Sequence, residues 1–304
     1  MPIPKVAIVI VNWNGKADTL ECLASLRTDI YPHKQIIVVD NGSADESVAA
    51  IRQQFPEATV LEAGANLGFC GGNNAGIRYA LNGDIDYICL LNNDTVVEAE
   101  TLTTLVATAE ANPQYGLFTP IIHYYDGREE AWFAGSALDL RRGKAEHINS
   151  PVPTRDEAPI TIPWSTGCAM LIRSDLLRTL HGFDERYFLY WEDVDLSLRI
   201  RKQGYLLSLV PKARIYHKVG RSASRISGTT SYYRVRNSLL FVSEHGPFPN
   251  LRAVRHIIAP RLRAGLIGWL QRPSADSNLL IPTLCGLRDH FLGRYGQRRV
   301  TIKE

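Results

Sequence analysis

The chain has 304 residues, 45% of them hydrophobic and 21% charged, a balance that excludes wholesale disorder and fits one large α/β domain with an appendage, or two domains. Its formal charge of +3 is unevenly placed: residues 246–304 hold ten Lys/Arg against three Asp/Glu, and the first 245 hold 24 against 28, so a nucleic-acid binder with a basic reading face fits poorly. Five scattered cysteines without a C-x-x-C pair argue against a disulfide framework or structural zinc, no apolar run nears the ~18 residues of a membrane span, and Met1-Pro2-Ile3-Pro4-Lys5 lacks a signal-peptide layout, so a cytoplasmic setting is expected.

Val6 to Val11 is a continuous aliphatic run, as a central parallel strand requires, and it stops in Asn12-Trp13-Asn14-Gly15. Leu20, Leu23 and Leu26 follow at helical spacing. A second buried strand, Gln35 to Val39, ends in Asp40. Asn41-Gly42 makes a turn, and Ser43-x-x-Glu46 reads as a capping box that opens a helix to about Phe55. Val60 and Leu61 mark a third strand. The loop Asn66 to Gly76 leads into a helix through Leu81, and Tyr87 to Leu91 is a fourth strand that stops in Asn92-Asn93-Asp94. Asp94 or Thr95 is placed to cap a helix from Glu98 to Ala111. Such alternation implies right-handed βαβ units and a mainly parallel sheet, with Asn12, Asp40 and Asn92 to Asp94 at its carboxyl edge, where ligands of open α/β sheets bind.

After Gly116 the pattern changes. Gly116 to Ile122 is another strand, Asp126-Gly127 a hairpin-type turn, and Arg141 to Pro163 a polar connection suited to a cover or specificity insert. Cys168 to Ile172 is apolar again, and Ser174 is expected to cap a short helix. Phe188-Leu189-Tyr190-Trp191 then runs into Glu192-Asp193-Val194-Asp195, which opens a helix closed at Gly204. Tyr205 to Val210 and Ala213 to Tyr216 read as two strands, the second ending at His217, and Lys218 to Thr230 as a flap rich in Ser, Gly and Arg. The remainder is helical in pattern. Leu262, Leu266, Trp269 and Leu270 share one face, with Arg252, Arg255, Arg261 and Arg263 around it. That is either a packed appendage with solvated arginines or a basic surface for an anionic membrane, at the inner face of the cell membrane. The expected division is a catalytic domain over 1–245 and a basic helical extension over 246–304.

The carboxyl edge carries the chemistry. Asp94 and His217 could hold magnesium or manganese while a bound diphosphate supplies further oxygens. Asp193 could deprotonate an attacking hydroxyl, with like charges at Glu192 and Asp195 and partial burial raising its pKa toward that of a useful base. Each group also has an ordinary reading: a strand-end histidine is commonly structural, and acids at a helix start are favoured by its dipole. The glycines of residues 68 to 76 do not fit G-x-G-x-x-G and so do not mark a dinucleotide fold.

Taken in order, Val9-Ile10-Val11-Asn12-Trp13-Asn14, Val38-Val39-Asp40-Asn41-Gly42-Ser43, Asn66-Leu67-Gly68-Phe69, Gly71-Gly72-Asn73-Asn74, Leu91-Asn92-Asn93-Asp94, Trp191-Glu192-Asp193-Val194-Asp195 and His217 resemble glycosyltransferase family 2. The likeness is greatest to its bacterial rhamnosyltransferase and galactofuranosyltransferase branch, and it covers residues 5 to about 240. The resemblance implies a GT-A fold, Rossmann-like, with a central, mainly parallel sheet flanked by helices. It also implies inverting transfer from a nucleotide diphosphate sugar, here rhamnose from dTDP-rhamnose, to a hydroxyl of a polysaccharide or lipid-linked glycan. By that similarity Asn12, Asn14, Asp40, Asn66, Gly68, Gly72, Asn73, Asn92 and Asn93 meet the nucleotide and donor, and Asp94 and His217 the metal. Asp193, with Glu192 beside it, is the catalytic carboxylate, and Trp164, Gly167 and Trp191 shape the donor-sugar and acceptor pocket. Asn92 stands where the family's D-x-D has its first acid, and one negative charge fewer weakens the expected grip on metal. Two rivals differ in class. A nucleotidyltransferase would need a basic phosphate-cradling loop after the first strand, which Asn12-Trp13-Asn14-Gly15 does not supply. A non-catalytic nucleotide-sugar binder would have no use for the complete set of acids.

Overall fold

In the computed structural model Val6–Asn12 forms strand β1, whose apolar side chains are fully shielded from solvent as far as Ile10. A strand buried on both faces needs a helix on each side. Lys16–Thr28 (α1), Lys34–Asp40 (β2), Ser47–Gln54 (α2), Thr59–Glu62 (β3), Gly68–Ala80 (α3) and Tyr87–Asn92 (β4) supply the layers in chain order. The structure describes residues 2–218, 228–247, 255–260, 262–263 and 280–298. Beyond β4 come Thr95–Val97 (β5), Thr101–Ala111 (α4), Tyr115–Tyr124 (β6), Ala131–Phe133 (β7), Ser136–Asp139 (β8), Lys144–His147 (β9), Ile160–Ile162 (β10) and Ala169–Arg173 (β11). Ser174–Leu180 (α5), Glu192–Lys202 (α6), Leu206–His217 (β12), Gly228–His245 (α7) and Leu280–Phe291 (α8) complete the named elements.

The main sheet runs β10-β12-β6-β11-β4-β1-β2-β3, with β5 added to β12 and β7 to β6. Strands β3, β2, β1 and β4 are parallel, which is the expected α/β core. β11 lies antiparallel between β4 and β6, and β12 is parallel to β6. Because β2 and β3 build out from one side of β1 and β4 from the other, the strand order reverses at β1, and a crevice opens at the carboxyl ends of β1 and β4. Register puts Asn12 beside Asp40 and Val11 beside Asn92 at that end.

Several local expectations give way to packing. Ser43 does not cap α2: its hydroxyl accepts from Asn12 Nδ2 at 3.0 Å and from the Asn14 N–H at 2.9 Å, and α2 starts after Glu46 without a side-chain cap. The glycine-rich stretch expected as a loop is helical from Gly68. Its glycines let α3 lie directly on β1, since a Cβ at Gly72 would stand 2.8 Å from Val11 Cγ1 and one at Gly76 would run into Val9. Asp94 and Thr95 cap no helix, because Thr95 pairs with His217 in β5–β12 and α4 begins six residues later, at Thr101. Ser174 lies inside α5, its hydroxyl donating to the Ile85 carbonyl. The two strands expected around Pro211 are one, β12, and a register irregularity against β6 between Val210 and Arg214 absorbs the proline. Part of the polar connection is ordered as β9 and β10.

Helix α8 packs on α7: Tyr232 donates to Asp289 Oδ2 at 2.8 Å, and a Cβ at Gly286 would stand 2.8 Å from the Tyr232 carbonyl oxygen. Residues 219–227 of the expected flap, and Arg252, Arg261, Leu266, Trp269 and Leu270 of the expected basic face, lie outside the described residues. No helix among the described residues is long and apolar enough to cross a membrane. All five cysteines are free.

Candidate active site

At the carboxyl ends of β1 and β2 the polar side chains are bonded to one another. Asn12 is fully buried; its Nδ2 donates to Asp40 Oδ1 at 3.0 Å as well as to Ser43, and its Oδ1 accepts from Thr19 Oγ1 at 2.8 Å and the Gly15 N–H at 3.2 Å. Asp40 Oδ2 accepts the Ser43 N–H at 3.0 Å. Asn14, in the left-handed region at φ 51°, accepts the Ala44 N–H at 2.7 Å. Asn66 Oδ1 accepts from Asn41 Nδ2 at 3.2 Å and from the Gly68 N–H at 2.8 Å. Asn93 Nδ2 donates to Thr19 Oγ1 at 2.9 Å. These bonds fix the shape of a polar rim and leave carboxylate and amide lone pairs for a ligand. Two expected donor-side residues face inward instead: Asn73 is buried and bonds the Phe69 carbonyl of its own helix at 2.9 Å, and Gly72 abuts Val11.

The reactive groups are held differently. Asp94 Oδ1 lies 3.0 Å from His217 Nε2, and the buried His217 Nδ1 has no hydrogen-bond partner. Backbone pairing sets this contact, for Thr95 opposes His217 and the Lys218 N–H donates to the Asp94 carbonyl at 2.9 Å. His217 meets the Trp132 ring edge to face at 4.5 Å between centroids, and His147 stands against the same tryptophan at 4.7 Å and against Trp164 at 5.3 Å. Burial drives the His147 pKa down to about 4, so this ring is a neutral wall. Trp164 is buried, with Nε1 donating to the Ala137 carbonyl at 3.0 Å.

Asp193 sits at the start of α6. Its Oδ2 accepts the Gly167 N–H at 3.1 Å and its Oδ1 the Val194 N–H at 2.8 Å. One residue on, the Cys168 carbonyl accepts the Asn92 N–H at 2.9 Å, which links the acid at α6 to the strand end that carries Asp94. Burial pushes the Asp193 carboxyl above its ordinary range despite those bonds. Glu192 is raised well above the usual value by burial and then by the charge of Asp193, and its buried Oε2 has no partner. Asp195 goes the other way: burial is outweighed by the hydrogen bond with His245 at 2.7 Å and the Arg199 pair at 2.7 Å, which hold it below the ordinary range. Three neighbouring acids thus divide into two suited to exchanging protons and one fixed ion pair.

The approach to Glu192 is unusual backbone. Phe188, Tyr190 and Trp191 have φ of 65°, 70° and 76°, a region that costs non-glycine residues of order 1–3 kcal/mol each. Helix α7 holds them. Asn237 Nδ2 donates to the carbonyls of Tyr187, Leu189 and Tyr190 at 2.8, 2.8 and 2.9 Å, and the fully buried Arg236 donates to those of Arg186 and Tyr187 at 3.1 and 2.9 Å. Trp191 is half-buried against Phe241 at 4.9 Å. Sequence reasoning missed Asn41, Trp132, His147, Arg236 and Asn237. Only Asn41 stands inside a quoted motif; the others act through ring faces and backbone carbonyls that leave no local spacing signal.

Among the described residues no group of three or more His, Cys, Asp or Glu side chains forms a metal cluster. The Asp94–His217 pair still suits a hard divalent cation, since it offers a carboxylate oxygen and an imidazole whose second nitrogen is unengaged, and a diphosphate could complete the shell.

Comparison with known proteins places the chain in a family. The family model described as glycosyl transferase family 2 matches residues 7–180. The N-acetylglucosaminyl-diphospho-decaprenol L-rhamnosyltransferase of Mycobacterium tuberculosis is 27% identical over 259 residues, covering 78% of this chain and 83% of that protein. Rhamnosyltransferase WbbL of Escherichia coli K12 is 28% identical over 227 residues, covering 70% and 83%. Among solved structures, the mannosyltransferase PcManGT from Pyrobaculum calidifontis, in complex with GDP-Man and Mn2+, aligns over 97% of this chain and 89% of its own with a TM-score of 0.60 at 15% identity.

Proposed function

The chain belongs to glycosyl transferase family 2 and is a glycosyltransferase of the GT-A fold; from that premise we propose that it transfers rhamnose, with inversion, from dTDP-rhamnose to a hydroxyl of a lipid-linked glycan. The observation that carries this reading is the pairing of Asp193, raised in pKa and fixed by two backbone N–H groups, with an Asp94–His217 edge one strand away. The names of the two relatives favour rhamnose, and the mycobacterial one favours a diphospho-polyprenol acceptor.

In this mechanism the polar rim of Asn12, Asn14, Asp40, Asn66 and Gly68 receives the nucleotide, with Asn92 and Asn93 nearer the diphosphate. Asp94 and His217 would hold magnesium or manganese, which when bound neutralises charge on the departing diphosphate. Asp193 accepts the proton of the acceptor hydroxyl as that oxygen forms its bond to the anomeric carbon and the bond to the diphosphate breaks. Glu192, whose pKa burial and the charge of Asp193 raise well above the usual carboxylate range, flanks the base. Gly167 orients Asp193, while Trp164, Trp191, Trp132 and His147 wall the sugar pocket. The basic extension, with exposed Ile281, Leu284, Phe291 and Leu292 near Arg288 and Arg294, supports a peripheral position on an anionic membrane at its cytoplasmic face.

The test is a thermal-shift panel of nucleotide sugars with and without manganese, followed by transfer to a synthetic lipid-linked acceptor. A manganese-dependent shift specific to dTDP-rhamnose, followed by turnover, is expected. Stabilisation by nucleoside triphosphates alone would replace this reading with a nucleotidyltransferase, and donor binding without turnover would leave a binding protein.

A further inference from the structure

A cavity of about 630 Å³, separate from the edge described above, is lined by Asp139, Arg141, Arg142, Arg255 and His256. Its walls come from the tip of the β8–β9 hairpin and from the helical turn at 255–260. Three arginines and one aspartate line it, two net positive charges before His256 is counted, with Arg142 Nε 3.6 Å from Asp139 Oδ2. Asp139 is engaged in the tip itself, its Oδ1 accepting the N–H groups of Arg141 and Arg142 at 3.0 and 3.1 Å. The carboxylate therefore orders the turn that presents the arginines. On the other wall Ile257 is buried in the main core at 3% exposure, so Arg255 and His256 are anchored to the domain.

The hairpin also points from the chemistry to the cavity. At its root Ser136 bonds the Trp164 carbonyl at 2.5 Å, and His147, paired with Ser136, packs on Trp132 beside His217. From Ser136 to Asp139 the strand spans roughly 10 Å. An acceptor sugar at the aromatic wall would thus stand about one strand length from the arginines. A charge of two, guanidinium forks and room for more than one phosphate match a diphosphate.

We infer that this cavity binds the diphosphate of the lipid-linked acceptor, separately from the donor diphosphate at Asp94 and His217; the inference rests on the transferase reading above. It gives the uneven charge of the chain a task, because Arg255 belongs to the basic extension and Arg141 and Arg142 to the polar connection.

The experiment uses the full chain and the triple variant Arg141→Ala/Arg142→Ala/Arg255→Ala, three exposed positions. With dTDP present to fill the donor site, inorganic pyrophosphate should bind the wild type and lose about tenfold or more in affinity in the variant, while dTDP binds both alike. Equal pyrophosphate affinity in the two proteins, or none in the wild type, overturns the inference. N-acetylglucosaminyl diphosphate carrying a short alkyl chain should follow pyrophosphate, whereas the alkyl glycoside of the same sugar should not distinguish the proteins. Vesicles of phosphatidylglycerol supply the other source of phosphate: a variant that loses only vesicle flotation, with pyrophosphate and diphosphate-sugar affinity intact, assigns the cavity to membrane head groups and overturns the proposal. Failure of the transferase reading shows separately, as absence of dTDP binding or of sugar transfer.

Discussion

Two parts of the same sheet edge are built on opposite hydrogen-bonding plans. Around Asn12, Asp40, Asn41 and Asn66 the amide and carboxylate groups bond one another or nearby backbone, in a network that fixes side chains before any ligand arrives. Around Glu192 and His217 buried polar atoms are left without partners and carboxyl groups are held above their ordinary pKa. A recognition rim gains from rigidity, whereas groups that exchange protons or bind a cation need capacity in reserve. Substitutions on the two sides should therefore separate stability from activity.

The largest effect belongs to Asp193→Asn, which should lower turnover by about 100- to 10,000-fold while donor affinity holds, read by initial rates and calorimetry. Because Asp193 works deprotonated and burial lifts its pKa, wild-type kcat/KM should fall as pH drops through a value above the usual carboxylate range. That value belongs to the Glu192–Asp193 pair. An acid limb at an ordinary carboxylate pKa would show the base to be unperturbed or to be another group.

Next, Asn12→Ala should cost about 2–3 kcal/mol in urea unfolding, since it strands the Thr19 hydroxyl, the Gly15 N–H and one oxygen of Asp40 in a buried place. A variant as stable as the wild type would mean that the rim is not self-supporting. His217→Ala should cost about 1–2 kcal/mol through lost packing on Trp132, and it should abolish the manganese dependence of the donor-induced thermal shift.

The smallest effect tests the sign of the Glu192 shift. A carboxyl whose folded pKa is raised lends stability that is present below its unfolded pKa and lost as pH rises through the folded value. Glu192→Gln should therefore raise the melting temperature near about pH 8 and leave it unchanged near about pH 4.

Much of the rim was legible because it depends on strand ends. The apolar runs of β1, β2 and β4 stop where Asn12, Asp40 and Asn92 begin, and parallel register does the rest. Ser43 shows where local signals mislead: its spacing to Glu46 suits a helix cap, but the amide of Asn12 and the N–H of Asn14 claim the hydroxyl. The glycines of α3 discourage a helix by local propensity, and contact with Val9 and Val11 overrides that preference. The aromatic wall and the α7 donors stayed hidden because they join segments far apart in sequence through rings and carbonyls.

The grip of Arg236 and Asn237 on the carbonyls of residues 186–190 decides how this protein could be divided or recombined. The family match ends at residue 180, ahead of Glu192, Asp193 and α7. A chain cut between β12 and α7 would keep every strand of the main sheet and the whole nucleotide rim, yet would release Phe188, Tyr190 and Trp191 from the left-handed path that aims Asp193. The loop and the helix behind it therefore have to be inherited as one block, and a chimera with a relative should retain turnover only when its junction spares both.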